Sequence, residues 1–424
     1  MCLARRRRSQ SIEGPRVRIL VVHNRYQVRG GEDVAVDDEI AALRRAGIEV
    51  IARIVDNDAI GGWPAKLRAA LGTAHSASGV RLVKDAIRDT RPDILHAHNF
   101  FPLLSPAIHA AAQAEGVATV QTLHNFRTVC AGGLLMRDSR PCETCIGGSP
   151  YWGAWHACYR GSRAGSLAAA HMIDAHRRGG TWQNHVDRFV VLSAFALKRF
   201  ERAGFPPEKM IVRPSSVDDP GPPEEGERAG IVYAGRLSDE KGVTVLIEAA
   251  RRATFPLEII GEGPLAAELA AAAPDHVRCR GPLPRDEVRR RIASAEAVVV
   301  PSLCYEGSPL VIAEAFAAAT PVVAARIGAL PDLVQEGRTG LLAPAGDADG
   351  LAAALMRIGA DRAAARLMGR RARAHYETEW SPPASLAALI RVYAEAIALS
   401  RGRVHARHRT PSAMVPALGG DHGA

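Results

Sequence analysis

The stretch AVVVPSLCYEGSPLVIAEAF (Ala297–Phe316) holds a strand, a loop and the first turns of a helix. The Ala297–Val300 run is short, apolar and β-branched, the pattern of a strand buried on both faces of a parallel sheet. Gly307, Ser308 and Pro309 then open a helix, with proline near its first turn. Glu306 falls in the loop and Glu314 in the helix, with seven residues between them. A loop carboxylate such as Glu306 is ordinary, whether solvated or drawn to the helix N-terminus. Glu314 is less ordinary, because Leu310, Ile312, Ala313, Ala315 and Phe316 make the helix largely apolar. A buried carboxylate needs hydrogen-bonding partners, and the vicinal hydroxyls of a sugar would serve.

The same strand–loop–helix unit recurs on both sides. Downstream of Gly230 the chain reads GIVYAGRL, a helix over 243–253, LEIIGEG, HVRCRG, the helix-like RDEVRRRIASA, the opening stretch, PVVAA and GLLAP. Upstream, VRILVVH (Val17–His23), IEVIARIV, DILHAHN, ATVQTLHN and DRFVVLS are strand candidates. Helical segments separate most of them, and the first is GGEDVAVDDEIAALRRAG, with Gly47 as its C-cap. Pro214, Pro220, Pro222 and Pro223, with Gly221 and Gly226, interrupt the alternation as a linker does. The expectation is an α/β chain of two doubly wound Rossmann-like domains facing each other across a cleft. Residues 16–213 form the first domain, with a cysteine-rich insert at 127–160, and 214–229 the linker. Residues 230–380 form the second domain, 381–400 a helix crossing back to the first, and 1–15 and 401–424 unstructured tails.

Charge narrows the function classes. The 424 residues carry a formal net charge of +9. Residues 1–16 hold five Arg against one Glu, and residues 401–424 four Arg against one Asp, so the tails account for +7 of it. A near-neutral body disfavours a nucleic-acid groove, while basic ends suit a peripheral contact with an anionic membrane. No wholly apolar run of spanning length and no signal-peptide core follows MCLARRRRSQ, which predicts a cytoplasmic protein with mostly reduced cysteines.

Two glycine-bearing turns are candidate phosphate contacts. YAGRLSDEKGV places Gly235, Arg236 and Lys241 between a strand and a helix, where close backbone approach and two cations suit a diphosphate. Gly30 and Gly31 precede the first helix in the same way, and either turn could equally be glycine-rich for its geometry alone.

GRLSDEKG, IIGEGP, YEGSPLVIAEAFAAATPVVA and VQEGRTGLLAP, in this order, resemble the retaining glycosyltransferases of family 4, which have the GT-B fold. The resemblance covers nearly the whole second domain. GGED, HAHNFFPLLSP and TLHNFR in the first domain resemble bacterial members that build surface polysaccharides. It implies a nucleotide-diphosphate sugar as co-substrate, a glycan or polyprenyl-linked acceptor, and no catalytic cofactor. Arg236 and Lys241 would hold the diphosphate in place of a metal. Glu306, with the amides of Gly307, Ser308, Pro309 and Leu310 nearby, would face the donor sugar, and Glu314 the ribose. Gly30 and Gly31 would let the first domain close over the diphosphate, and His124 would lie by the donor sugar and acceptor. Transfer would be a front-face displacement, dominated by positioning and electrostatics. Two departures stand out: Pro214-Ser215-Ser216 where many relatives have Pro-Asn-Gly, and Thr320 where glycine is common.

Cys130, Cys142, Cys145 and Cys158 are spaced C-x11-C-x2-C-x12-C. A structural four-thiolate zinc, four free thiols in a packed loop and a redox pair at Cys142/Cys145 all fit. His96 and His98 stand across a strand end, where the expectation is one core and one cleft-lining imidazole on different faces, with no shared ligand. His124 reads equally as a strand-end cap or a cleft group. The Trp152/Trp155/His156 group is expected to pack the insert, with stacking on an acceptor sugar as the other use. Rival functions are a catalytically silent sugar-nucleotide-binding protein and a GT-B epimerase or phosphorylase.

Overall fold

The computed structural model describes residues 17–221 and 226–409. The basic segment 1–15 lies outside them. Strands β1 (Arg18–Arg25), β2 (Glu49–Asp56), β3 (Ile94–Ala97) and β4 (Ala118–Leu123) open the first domain. A two-residue ribbon in the cysteine-rich insert pairs β5 (Met136–Arg137) with β6 (Arg140–Pro141). β7 (Arg188–Val191) and β8 (Met210–Val212) complete the main sheet, whose order is β2-β1-β3-β4-β7-β8, parallel throughout. The second domain builds β9 (Ile231–Ala234), β10 (Leu257–Ile260), β11 (Val277–Gly281), β12 (Ala297–Val300), β13 (Val322–Arg326) and β14 (Gly340–Pro344) into a second parallel sheet, ordered β11-β10-β9-β12-β13-β14. The chain order therefore reverses between β9 and β12, and the loops after these two strands carry Lys241 and Glu306. Ligands of open α/β sheets bind in this kind of crevice.

Every strand expected from the sequence is present. β8 was not expected: Met-Ile-Val is only three residues long and abuts the proline-rich linker. It pairs with β7 from Phe189↔Met210 to Val191↔Val212.

The helix Pro382–Arg409 does cross to the first domain. Leu389, Val392, Tyr393 and Ala396 are buried in one cluster with Ile19, Val21, Val36 and Ile40. One expectation is corrected here. The segment after Ser400 was read as unstructured, yet the helix continues to Arg409. An anchor explains part of the extension: Arg403 pairs through both terminal nitrogens with the buried Asp187. Residues 410–424 lie outside the description. The helical run Arg362–Arg403 has the length and apolarity to cross a membrane, with a mean hydropathy of 1.3 over its best window. Leu389, Val392, Tyr393 and Ala396 of this run pack against the sheet, and a third of the window is buried.

Leu389 is fully buried where the helix meets the sheet. Leu389→Ala is expected to cost about 2–5 kcal/mol, read as a lower denaturant midpoint at unchanged slope.

Candidate functional site

The cleft is built from helix ends. Helix Leu310–Ala317 follows β12, with Pro309 at its N-cap. Its entry meets the first domain closely: a Cβ on Gly307 would lie 3.1 Å from the carbonyl oxygen of His124 and 3.3 Å from Leu192. A larger residue there would push the domains apart. The Oγ of Ser308 accepts from the amide of Ser215 at 3.1 Å. A Cβ on Gly31 would stand 3.8 Å from Leu310, so the first-domain glycine turn faces this helix start across the cleft. Gly30 is the N-cap of helix Gly31–Arg45, and its amide donates to Asp33 at 2.9 Å.

Lys241 closes the short 3-10 turn Asp239–Lys241, and Gly242 behind it turns the chain into helix Val243–Arg252. Gly242 has φ +68°, and a Cβ there would run into the carbonyl of Pro301, so glycine is required. The turn delivers the Lys241 ammonium to Glu306 Oε1 at 2.7 Å, and the Ser302 hydroxyl donates to the same oxygen at 2.7 Å. Burial alone would lower the Lys241 pKa, but Glu306 prevails and raises it to about 12. Arg236, in the loop after β9, is exposed and has no ion-pair partner among the described residues. Gly235 beside it would bring a Cβ to 3.1 Å from the Tyr233 hydroxyl, which instead donates to the Arg236 carbonyl at 2.7 Å.

Glu314 is largely buried, and burial raises its pKa against the pull of Arg285 and Arg289. Arg285 Nε lies 3.3 Å from Glu314, and its two terminal nitrogens grip Asp38 of the first domain at 2.9 and 2.7 Å. Sequence reasoning found Glu314 but none of these partners. Ser302 sits at a strand end and was within reach of that reasoning. Arg285 and Asp38 are 247 residues apart and carry no local signal.

The first domain contributes a buried polar network. Glu39 receives Arg213 at 2.6 Å on one carboxylate oxygen and faces His96 Nδ1 and His98 Nε2 at 3.3 Å with the other. Burial would raise the Glu39 pKa, but Arg213 and the two imidazoles hold it well below the carboxylate range. Burial keeps His96, His98 and His124 neutral by pushing their pKa values down. The opposite-face expectation for His96 and His98 is therefore corrected, their rings lying 4.2 Å apart. Residues two apart along a strand share a face, and His98, the residue just past the end of β3, keeps to the side of His96, so both imidazoles reach Glu39.

Residues 228–361 match the family described as "Glycosyl transferases group 1", and residues 29–219 the one described as "Glycosyltransferase Family 4". The glycogen synthase of Mycobacterium tuberculosis is 30% identical over 81% of this chain and 78% of its own length. The chain belongs to glycosyltransferase family 4. The amylovoran biosynthesis glycosyltransferase AmsK of Erwinia amylovora is 36% identical over 36% of this chain, an alignment that spans 41% of AmsK. In fold, the transferase resembles Anabaena Alr3699/HepE, crystallised with UDP, at 16% identity and a TM-score of 0.61 over 89% of this chain and all of that one.

The cysteines of the transferase share one insert and influence one another. Burial first, then Cys130, raises the Cys145 thiol to about 11. Among the described residues, though, the group whose ligand atoms lie within reach of one ion is Glu39, His96 and His98, not the thiols. Zinc at Cys130, Cys142, Cys145 and Cys158 gains no support from this arrangement. Packing of the insert by the two tryptophans is also corrected: Trp152 and Trp155 are 50% and 72% exposed. The insert is instead tied down by Glu143, which pairs with Arg199 and Arg202 at 3.2 and 2.6 Å.

Two outcomes follow for the transferase. The raised Lys241 pKa contributes stability fully below the ordinary 10.5, lost as pH rises through about 12. Unfolding measured across that window should show a slope in the wild type that Lys241→Met lacks. Arg285→Ala leaves Glu314 with only the more distant Arg289 and frees Asp38. It should cost about 1–3 kcal/mol and enlarge the radius of gyration in small-angle scattering.

Proposed function

We propose that this enzyme transfers a sugar, with retention of configuration, from a nucleotide-diphosphate sugar to a glycan or polyprenyl-linked acceptor in surface-polysaccharide biosynthesis. It works in the cytoplasm at the inner face of the membrane. The observation that carries the reading is the Lys241–Glu306 contact at 2.7 Å, made across the β9/β12 switch point beside a helix N-terminus. A diphosphate placed there meets Lys241, Arg236 and the backbone near Gly235, so leaving-group charge is offset without a metal. Glu306 accepts hydrogen bonds from the donor sugar, next to the amides of Gly307, Ser308 and Leu310, while Pro309 sets the turn. Glu314 takes the ribose hydroxyls, exchanging its Arg285 contact for neutral donors. Gly30 and Gly31 admit the diphosphate beneath the first domain, and His124 borders the transfer site. The names of AmsK and of the "Putative colanic acid biosynthesis glycosyltransferase WcaL" of Escherichia coli, 30% identical over 39% of this chain and 46% of its own length, point to the polysaccharide context. The exposed rings of Trp152 and Trp155 offer an acceptor glycan a stacking face.

The test begins by finding the donor. Thermal shift against UDP-, GDP-, ADP- and dTDP-sugars should single out one nucleotide, because at a hundredfold excess over Kd a ligand stabilises by about 2.7 kcal/mol. With that donor, Lys241→Ala and Glu306→Gln should each lower kcat by about 10²–10³ while circular dichroism stays native. Product stereochemistry read by NMR should match the donor. Near-normal transfer by both variants would refute the assignment, and donor binding without transfer over an acceptor panel would favour a silent binding protein.

A further inference from the structure

A buried series of groups leads from the first-domain core to His124. Arg213 donates to Glu39 at 2.6 Å, Glu39 Oε1 faces His98 Nε2 at 3.3 Å, and His98 Nδ1 lies 2.9 Å from His124 Nε2. Glu39 Oε1 and His98 Nε2 are both sealed from solvent and neither has a hydrogen-bond partner, so the polar atom each faces at 3.3 Å is the other. His96 Nδ1 also stands 3.3 Å from Glu39 Oε1, but its ring hydrogen bonds are with Thr122 on Nε2 and Tyr393 on Nδ1, each at 2.8 Å.

Proton counting along this series has one self-consistent solution. A neutral imidazole carries a single N–H. Glu39, paired with Arg213, is an acceptor only, so the His98 proton belongs on Nε2, facing it. The reverse tautomer would set two lone pairs against each other in a buried site. His98 Nδ1 is then an acceptor, and His124 must donate to it from Nε2. The remaining nitrogen of His124, Nδ1, makes no hydrogen bond among the described residues. His124 also borders a cavity of about 40 Å³ walled by the first domain, the linker and the crossing helix, with Asp38, Arg213 and Ser215 among its lining.

We propose that Glu39 and His98 are positioning residues that lock His124 in the Nε2–H tautomer, so that His124 offers the transfer site an Nδ1 lone pair rather than an N–H. This rests on the reading that places His124 at the transfer site. A lone pair accepts a hydrogen bond from a donor-sugar or acceptor hydroxyl and cannot donate one to a phosphate. His124 thereby orients a hydroxyl, and leaving-group charge is left to Lys241 and Arg236.

A divalent ion is the competing occupant of the Glu39, His96 and His98 ligand atoms, and it makes the opposite prediction. Metal on His98 Nε2 would force its proton to Nδ1, turn His124 Nε2 into the acceptor and place the His124 proton on Nδ1. Two features weigh against the ion: the Arg213 cation already neutralises Glu39, and the Tyr393 hydroxyl occupies His96 Nδ1.

The test is histidine ¹⁵N NMR of the full chain, with the His124 signals assigned by their loss in His124→Gln. The expected wild-type pattern is a protonated Nε2 and a pyridine-like Nδ1. In Glu39→Gln the new amide can donate to His98 Nε2, which should invert the series and move the His124 proton to Nδ1. Transfer by this variant should lose about tenfold or more in kcat with donor KM changed less than about twofold. If Glu39→Gln folds poorly, the wild-type spectrum decides by itself. A proton on His124 Nδ1 in the wild type, or stoichiometric metal in the purified protein by elemental analysis, would overturn the proposal. The tautomer is read without turnover, so an inactive donor assay bears on the transferase reading and leaves this one standing or falling separately.

Discussion

Arg285 is the side chain on which the geometry of the cleft depends. Its guanidinium gives two nitrogens to Asp38 in the first domain and the third to Glu314 in the second. A planar fork with five N–H groups can do this; a lysine could not hold both carboxylates in fixed directions. Because Glu314 is buried, it needs compensation, and because Asp38 lies on the helix that begins at Gly31, the same contact sets how that helix faces Leu310. Gly307 completes the register by allowing the His124 carbonyl within contact distance.

The cleft is thus lined with charges that already have partners. Lys241 is matched by Glu306, Glu314 by Arg285, and Glu39 by Arg213. Arg236 is the exception, exposed and unpaired among the described residues. Under the proposed function, a diphosphate would find one free cation and one shared with Glu306. Competition of this kind would link phosphate binding to the freeing of a carboxylate for sugar hydroxyls.

Much of the fold was legible locally. Short apolar runs rich in β-branched residues, such as Ala297–Val300, marked the strands, and the proline cluster marked the passage between domains. Legibility failed where the signal was short or non-local. β8 is too brief to stand out from the prolines beside it. The helix beyond Ser400 is held partly by the contact of Arg403 with Asp187, 216 residues away. The faces of His96 and His98 were misjudged because positions two apart along a strand share a face, and only adjacent positions oppose each other. Trp152 and Trp155 were assigned to packing because aromatic rings usually are buried.

The sequence by itself determined the two α/β domains, the strand–loop–helix setting of Lys241 and Glu306, and the oddity of Glu314 in an apolar helix. Each follows from periodicity and turn chemistry within about twenty residues. Tertiary structure alone decided which charges meet: Arg285 with Asp38 and Glu314, Glu39 with Arg213, His98 with His124. Coulomb and hydrogen-bond energies depend on distances of a few ångströms, which sequence separation does not report. The strands and turns could therefore be read in order along the chain, while the partners of its buried charges appeared only when the two sheets were folded against each other.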